Sequence, residues 1–424
     1  MIPFIILFFC LLAVGSPIYL AIGATAAALF LSDGHNLAGY AQIIVDHLNS
    51  NALMSVPFFV IAATFMERGS IAQVLITAAN AWLGKVHGGT ALICVLAATI
   101  FAAISGSSLA TAMAMGTILI PTMLAQKYDR PFALGVVGAS GTLGILIPPS
   151  LALIIYGIVA ELSVPKLFLA GVIPGLMQAA LLGIWIYFYA RRKSYVPAAP
   201  VDMHGFLKAN LRALPALSLP VFVLGGIYSG IVTISEAAIL AAVMSIILSI
   251  CVYRQCTIQD IIPITALAIR QSTALIIIVA FAMALGHWIT YSGLPQQLVN
   301  KIADLGLQPW QFLLLINLLM LGLGMFLEVI SVILITLPII LPLLEAFQIS
   351  PIHFAIILTV NMELALLTPP VRLNLFVLSN ISKAPLGEVV RGVLPFIGLL
   401  TLLLLVLIFV PQLSTWLPEL VYGR

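Results

Sequence analysis

The sequence predicts an all-α polytopic membrane protein made of two inverted repeats, each with a re-entrant helical hairpin and a broken membrane helix. Three observations predict it. The chain is extremely apolar, a set of Gly and Pro positions recurs at one fixed interval, and each copy places a Pro-Pro pair inside an apolar run.

Of 424 residues, 62% are hydrophobic and only 7% charged, against roughly 25% charged in an ordinary soluble domain. Mean hydropathy is +1.22. Apolar windows of about 17 to 25 residues follow one another along the whole chain, the length that crosses a bilayer as helix. Lipid offers the backbone no hydrogen-bond partners, so the spans are helices. Continuous rather than alternating apolar runs argue against a β-barrel. The opening "MIPFIILFFCLLAVGSPIYLAIG" lacks a basic start and its apolar character continues, so it reads as a retained first span and not a cleaved signal. The four cysteines show no CxxC spacing, giving neither a disulfide framework nor a metal site, and read as packing residues. The histidines lack metal spacing, and a net charge of +3 points to no nucleic-acid partner.

The repeat fixes the order of elements. Pro121, Pro148, Pro149, Gly171 and Pro174 recur 221 residues later as Pro342, Pro369, Pro370, Gly392 and Pro395. The first repeat, 1–190, reads as spans at 2–14, 17–32 and 52–67, an amphipathic arm at 70–85, a hairpin at 89–124 turning at "SGSS", and spans at 132–160 and 167–190. A cytoplasmic linker follows at 191–213. The second repeat, 214–424, offers spans at 214–229, 233–252 and 262–289, an arm at 294–305, a hairpin at 309–345 turning at "FLEVIS", and spans at 353–380 and 388–411. His35 and His47 fall in an external loop. Five crossings per copy force the second copy to enter the membrane with opposite polarity, as in many secondary transporters. With both termini outside, Lys166, Lys301 and Arg424 fall outside and Arg372 within a span, leaving 13 of the 17 basic residues in the cytoplasm, as the positive-inside rule demands.

The Pro-Pro pairs in "LGILIPPS" and "LALLTPPVRLN" remove backbone donors and push the preceding residue out of helical geometry, so the spans 132–160 and 353–380 break near the middle. Unwound backbone at membrane depth is tolerated where it lines a polar cavity, and its carbonyls suit a hard cation. The first hairpin turn brings Ser105 and Ser108 to the break at 141–148. In the second repeat Glu328, at the hairpin turn, is expected to face the break at 363–369, with Thr368 adding a hydroxyl and Asn361 an amide. A proline kink alone, or close packing of the small residues in "SGSS", is the plainer explanation of each feature singly. Their duplication favours sites. Gly135 and Gly138 fit helix packing.

Charges at mid-membrane are costly, so Glu328, Glu363 and Arg372 require partners or water. Arg372 is a donor fork suited to a carboxylate substrate, or equally an ion-pair partner of Glu363 or Glu328. Glu236 reads as structural, near an interface, and His287 as a packed core histidine.

At "ISGSSLATAMAMGTILIP", "GTLGILIPPS", "GMFLEVISVILITLPIILP", "LLTPPVRLNLFV" and "APLGEVVRGVLPF" the sequence resembles the large membrane (M, DctM-like) subunit of tripartite ATP-independent periplasmic (TRAP) transporters, over essentially the whole chain. The resemblance implies an elevator-type transporter in the bacterial inner membrane, driven by Na⁺, working with a small four-helix membrane subunit (Q) and a periplasmic substrate-binding protein (P) that delivers an organic acid. On this reading one Na⁺ site draws on Ser105, Ser108, Gly141, Gly144 and Ile147. A second draws on Gly324, Glu328, Met362 and Thr368, and substrate meets Ser107, Pro149, Ser150, Arg372 and Asn374. Two departures stand out: the family usually has Gly at the position of Arg372, and commonly Asp at that of Glu328. "NMELALLTPPV" and "LFVLSNI" look closest to the sialic-acid branch, with C4-dicarboxylates the main rival. Membrane lipid is the remaining partner. A stand-alone Na⁺- or H⁺-coupled carboxylate carrier is the alternative in transport. An intramembrane enzyme would need an acid pair, an activated nucleophile or metal ligands. Glu328 and Glu363 imitate the first, but the duplication argues for a transporter.

Overall fold

The computed structural model describes residues 2–34, 36–195, 202–303, 306–369 and 373–423, and every regular element among them is helical. The first repeat runs α1 (Ile2–Ala13), α2 (Ile18–Ser32), α3 (Leu37–Leu48), α4 (Asn51–Arg68), α5 (Ile71–Leu83), α6 (Gly89–Ser105), α7 (Ser108–Ala125), α8 (Arg130–Leu146), α9 (Leu151–Val159) and α10 (Val164–Arg192). The second continues with α11 (Met203–Tyr228), α12 (Ile234–Ile247), α13 (Ile261–Tyr291), α14 (Leu294–Ala303), α15 (Pro309–Gly324) and α16 (Val329–Ala346). It ends with α17 (Pro351–Leu367), α18 (Leu373–Ser382), α19 (Leu386–Phe409) and α20 (Gln412–Tyr422). Among the described residues eight helical stretches are long and apolar enough to cross a membrane, and α3 with the body of α4 forms one more candidate span bent by 58°.

Three boundaries differ from the sequence reading. Positions 37–48 form α3, where an external loop was expected. Asn36 caps the helix by accepting from Ala38 N, and the Tyr40 hydroxyl donates to Gly23 O at 3.0 Å, fixing it to α2. The expected linker 191–213 is shorter, because α11 starts at Met203, where the Asp202 carboxylate accepts from Gly205 N at 2.9 Å. After the last expected span, α20 docks back, its Ser414 hydroxyl 2.6 Å from His353 Nδ1 on α17.

The packing repeats itself across the two copies. The contact of α2 with α13 is matched by that of α12 with α4, and the contact of α8 with α19 by that of α17 with α10. Each hairpin leans on the other copy: α7 packs on α18, and α16 on α9. Broken helices α8 and α17 meet in the middle. Gly135 and Gly392 let α8 and α19 touch backbone to backbone, since a Cβ on Gly135 would strike Gly392 O and one on Gly392 would strike Pro131 O. Nearly every side chain of α8 and α17 is buried, which is why their sequences lack an amphipathic stripe.

Two ion pairs and their neighbours tie the ends of α8, α10, α18 and α19. Lys193 pairs with Asp129 at 3.0 Å, Arg130 with Glu388 at 3.8 Å, and the Arg130 guanidinium also donates to Ser382 O. Tyr128 and Tyr195 stack beside them, ring centroids 4.2 Å apart. Elsewhere Glu236 closes a capping box with Thr233, a structural role, and His287 packs its ring 4.6 Å from that of Tyr291. Cys94 and Cys256 are buried as packing residues, whereas Cys10 and Cys251 are exposed.

Candidate functional site

The first hairpin turns between α6 and α7. Helix α6 ends on Gly106, whose φ of +58° reverses the chain, and Ser107 caps α7 by accepting from Ala110 N at 3.4 Å. Opposite, α8 stops at Ile147 in extended geometry, and α9 begins with Ser150 as its cap, accepting from Leu153 N. Pro148 and Pro149 therefore lie between two half-helices that end in mid-span. The turn and the break touch. A Cβ on Gly106 would come within 2.7 Å of Pro149 O, one on Gly144 would strike Ser107 O, and one on Gly141 would lie 2.7 Å from Ala112 Cβ. Ser105 Oγ is 3.0 Å from Thr111 Oγ1, and both serines of the turn, Ser105 and Ser108, are buried.

Asn374, on α18 of the other repeat, donates to Ser108 Oγ at 2.6 Å. The structure thus brings Ser105, Ser107, Ser108, Gly141, Gly144, Pro149, Ser150 and Asn374 into one nest. Ile147 borders it and faces Gly175 of α10.

The second nest is looser. A Cβ on Gly324, at the end of α15, would lie 2.9 Å from Met362 Cε. Thr368 ends α17 in extended geometry and spends its hydroxyl hydrogen on Leu364 O at 2.7 Å. Glu328 precedes α16 with its side chain exposed and makes no hydrogen bond to Thr368 or Asn361 among the described residues. Asn361 turns instead to Asn317 of α15, donating to its backbone and side-chain oxygens at 2.8 Å. Pro370 and Arg372 lie outside the described residues.

Between the two breaks sits a polar centre that hydropathy hides. Thr142 and Glu363 occupy equivalent positions of the repeats, 221 residues apart, and Thr142 Oγ1 stands 3.2 Å from Glu363 Oε2. Gln178 of α10 adds its amide nitrogen 3.0 Å from the same hydroxyl. All three side chains are fully buried. Thr142 and Gln178 are polar letters scattered in apolar helices, so only the 221-residue interval would have linked Thr142 to Glu363.

Chemically, each break presents a helix C-terminal end beside a helix N-terminal end. The carbonyl-rich ends of α6 and α8 carry partial negative charge, and the amide-rich starts of α7 and α9 partial positive charge. Hydroxyls and backbone carbonyls packed this closely suit a hard monovalent cation on one side and an anion on the other.

Comparison with known proteins agrees with this architecture. The family described as tripartite ATP-independent periplasmic transporter, DctM component, matches residues 5–413. The C4-dicarboxylate TRAP transporter large permease protein DctM of Pseudomonas aeruginosa is 41% identical over 398 residues, covering 94% of this chain and 92% of that one. The sialic acid TRAP transporter large permease protein SiaM of Vibrio cholerae is 32% identical, covering 97% of each chain. The crystal structure of the Alcanivorax borkumensis YdaH transporter superposes with a TM-score of 0.60 at 14% identity, covering 85% of this chain and 86% of that one, a likeness of fold. The chain therefore belongs to the DctM family of TRAP transporter large permeases, multi-pass transport components of the inner membrane and not enzymes.

Proposed function

We propose that the chain carries an organic-acid anion inward across the inner membrane by coupling it to Na⁺, with both termini periplasmic. The observation that carries this reading is the contact of the first hairpin turn with the α8–α9 break, where Gly106 and Gly144 allow backbone to approach backbone. Ser105, Ser108 and the carbonyls of Gly141, Gly144 and Ile147 hold one Na⁺. Gly324, Met362, Thr368 and the carboxylate of Glu328 hold a second. Substrate lies between, near Ser107, Pro149, Ser150, Asn374 and Arg372.

A ligand shifts an equilibrium only by its differential affinity. Ions that bind where hairpin meets break therefore favour the closed, loaded arrangement in which α6–α10 and α15–α19 cross the membrane together, elevator-fashion. The remaining helices, among them α2, α4, α12 and α13, form the stationary scaffold. Transport is completed by a small membrane subunit and a periplasmic substrate-binding protein. A relative named as the isethionate TRAP transporter permease protein DctMQ, of which this chain covers 63%, supports the first of these partners. Relatives named for C4-dicarboxylate, at 35 to 41% identity, favour that substrate class over sialic acid, named for a relative at 32%.

Reconstitution in proteoliposomes tests the reading. Uptake should require a Na⁺ gradient and the soluble binding protein, and fall to background when choline replaces Na⁺. Uptake by this chain without a binding protein would favour a stand-alone carrier.

A further inference from the structure

We infer that Glu363, Thr142 and Gln178 form an additional Na⁺ site, separate from both hairpin turns, at the pseudo-two-fold centre where α8, α10 and α17 meet. The inference rests on the Na⁺-coupled reading above and adds a third ion to it.

The argument is a count of hydrogens. Thr142 has one hydroxyl hydrogen, and its nearest acceptor is Ala139 O at 2.9 Å, closer than Glu363 Oε2 at 3.2 Å. With that hydrogen spent on the helix, Thr142 Oγ1 and Glu363 Oε2 face each other as two acceptors. Among the described residues two more oxygens at the same centre, Glu363 Oε1 and Gln178 Oε1, have no hydrogen-bond partner although all three side chains are fully buried. Amide oxygen and nitrogen exchange places by a half-turn, so Gln178 can offer either to Thr142. A buried carboxylate without countercharge is strongly unfavourable. Among the described residues the ion pairs are Lys193 with Asp129 and Arg130 with Glu388, and neither reaches Glu363.

A proton would satisfy one of these oxygens. A Na⁺ ion satisfies several at once and balances the charge. Hard cations of this size hold oxygens at about 2.3 to 2.6 Å, so two ligands of one ion lie roughly 3.2 Å apart when they subtend about 80°. The Thr142–Glu363 separation fits that geometry. Because Thr142 and Glu363 belong to different repeats, an ion between them draws the two broken helices together before the loaded domain moves.

The test is the Na⁺-to-solute ratio, read from reversal potentials in proteoliposomes with the binding protein and small subunit present. Glu363→Gln, isosteric and uncharged, should transport with one Na⁺ fewer per solute than wild type. Thr142→Val and Gln178→Leu should each raise the half-saturating Na⁺ concentration about tenfold, and they serve as the test should Glu363→Gln not accumulate. An unchanged ratio in Glu363→Gln, or wild-type Na⁺ affinity in the other two, overturns the site. So does an unchanged Na⁺ ratio accompanied by loss of pH dependence, which would mark Glu363 as a proton carrier. Wild-type uptake indifferent to Na⁺ would instead sink the functional reading itself.

Discussion

Asn374 donates a 2.6 Å hydrogen bond to Ser108, tying the distal half of the second broken helix to the turn of the first hairpin. The two repeats are thus joined at the first hairpin turn. A residue of one repeat reaches the hairpin turn of the other, and the helix contact α16 against α9 is the counterpart of α7 against α18.

Replacing Asn374 by Leu removes the donor and leaves a buried hydroxyl short of a partner, a loss of about 1 to 3 kcal/mol. Uptake in proteoliposomes should fall about tenfold or more, while the protein still inserts and elutes as a single species. Full uptake by Asn374→Leu would show that the cross-repeat link is dispensable.

The glycine contact between α8 and α19 gives a stability prediction with a control in the same helix. Gly135→Ala and Gly392→Ala each force a methyl against backbone, an overpacking cost of about 1 to 3 kcal/mol. Gly398 of α19 has nothing within 4 Å of its missing Cβ. Thermal unfolding in detergent should show Tm lowered by several degrees for the first two and by no more than about 1 °C for Gly398→Ala.

The Asp129–Lys193 pair sets a pH window. Its hydrogen bond to Lys193 holds the Asp129 carboxyl below the usual carboxylate range, and the Lys193 ammonium is raised by the same bond. A depressed acid contributes stability above its ordinary value that is lost as pH falls through the lowered one. A raised base contributes below its ordinary value and loses that contribution as pH rises through the raised one. The pair therefore acts from about pH 4 to about pH 10. Both groups are half exposed and screened. Asp129→Asn should lower Tm by no more than about 2 °C between pH 5 and 8, with the difference shrinking progressively as pH falls below about 4.

Much of this was legible in the sequence because membrane helices announce themselves by length, and duplicated prolines announce a duplicated break. Pro148 and Pro149 marked the interruption between α8 and α9, and "SGSS" marked the turn that meets it. What stayed hidden depends on polar letters read one at a time. The stretch "HGFLKANLR" reads as linker until Asp202 caps it into a helix. Helix α3 mixes polar and apolar residues, and a hydropathy window sees a loop. Asn361 was assigned to the second break, yet Asn317, 44 residues upstream, holds it on α15. The approach of Thr142 to Glu363 and the hydrogen bond from Asn374 to Ser108 span 221 and 266 residues, and no local pattern encodes either.

Direct cation binding tests the central claim, that a hairpin turn closing on an interrupted helix makes a Na⁺ site. Purified chain should bind ²²Na⁺ saturably, and Gly144→Ala, whose methyl pushes Ser107 O away, should weaken that binding about tenfold or more without unfolding the protein. Equal binding by wild type and Gly144→Ala, or no saturable binding by either, would contradict it.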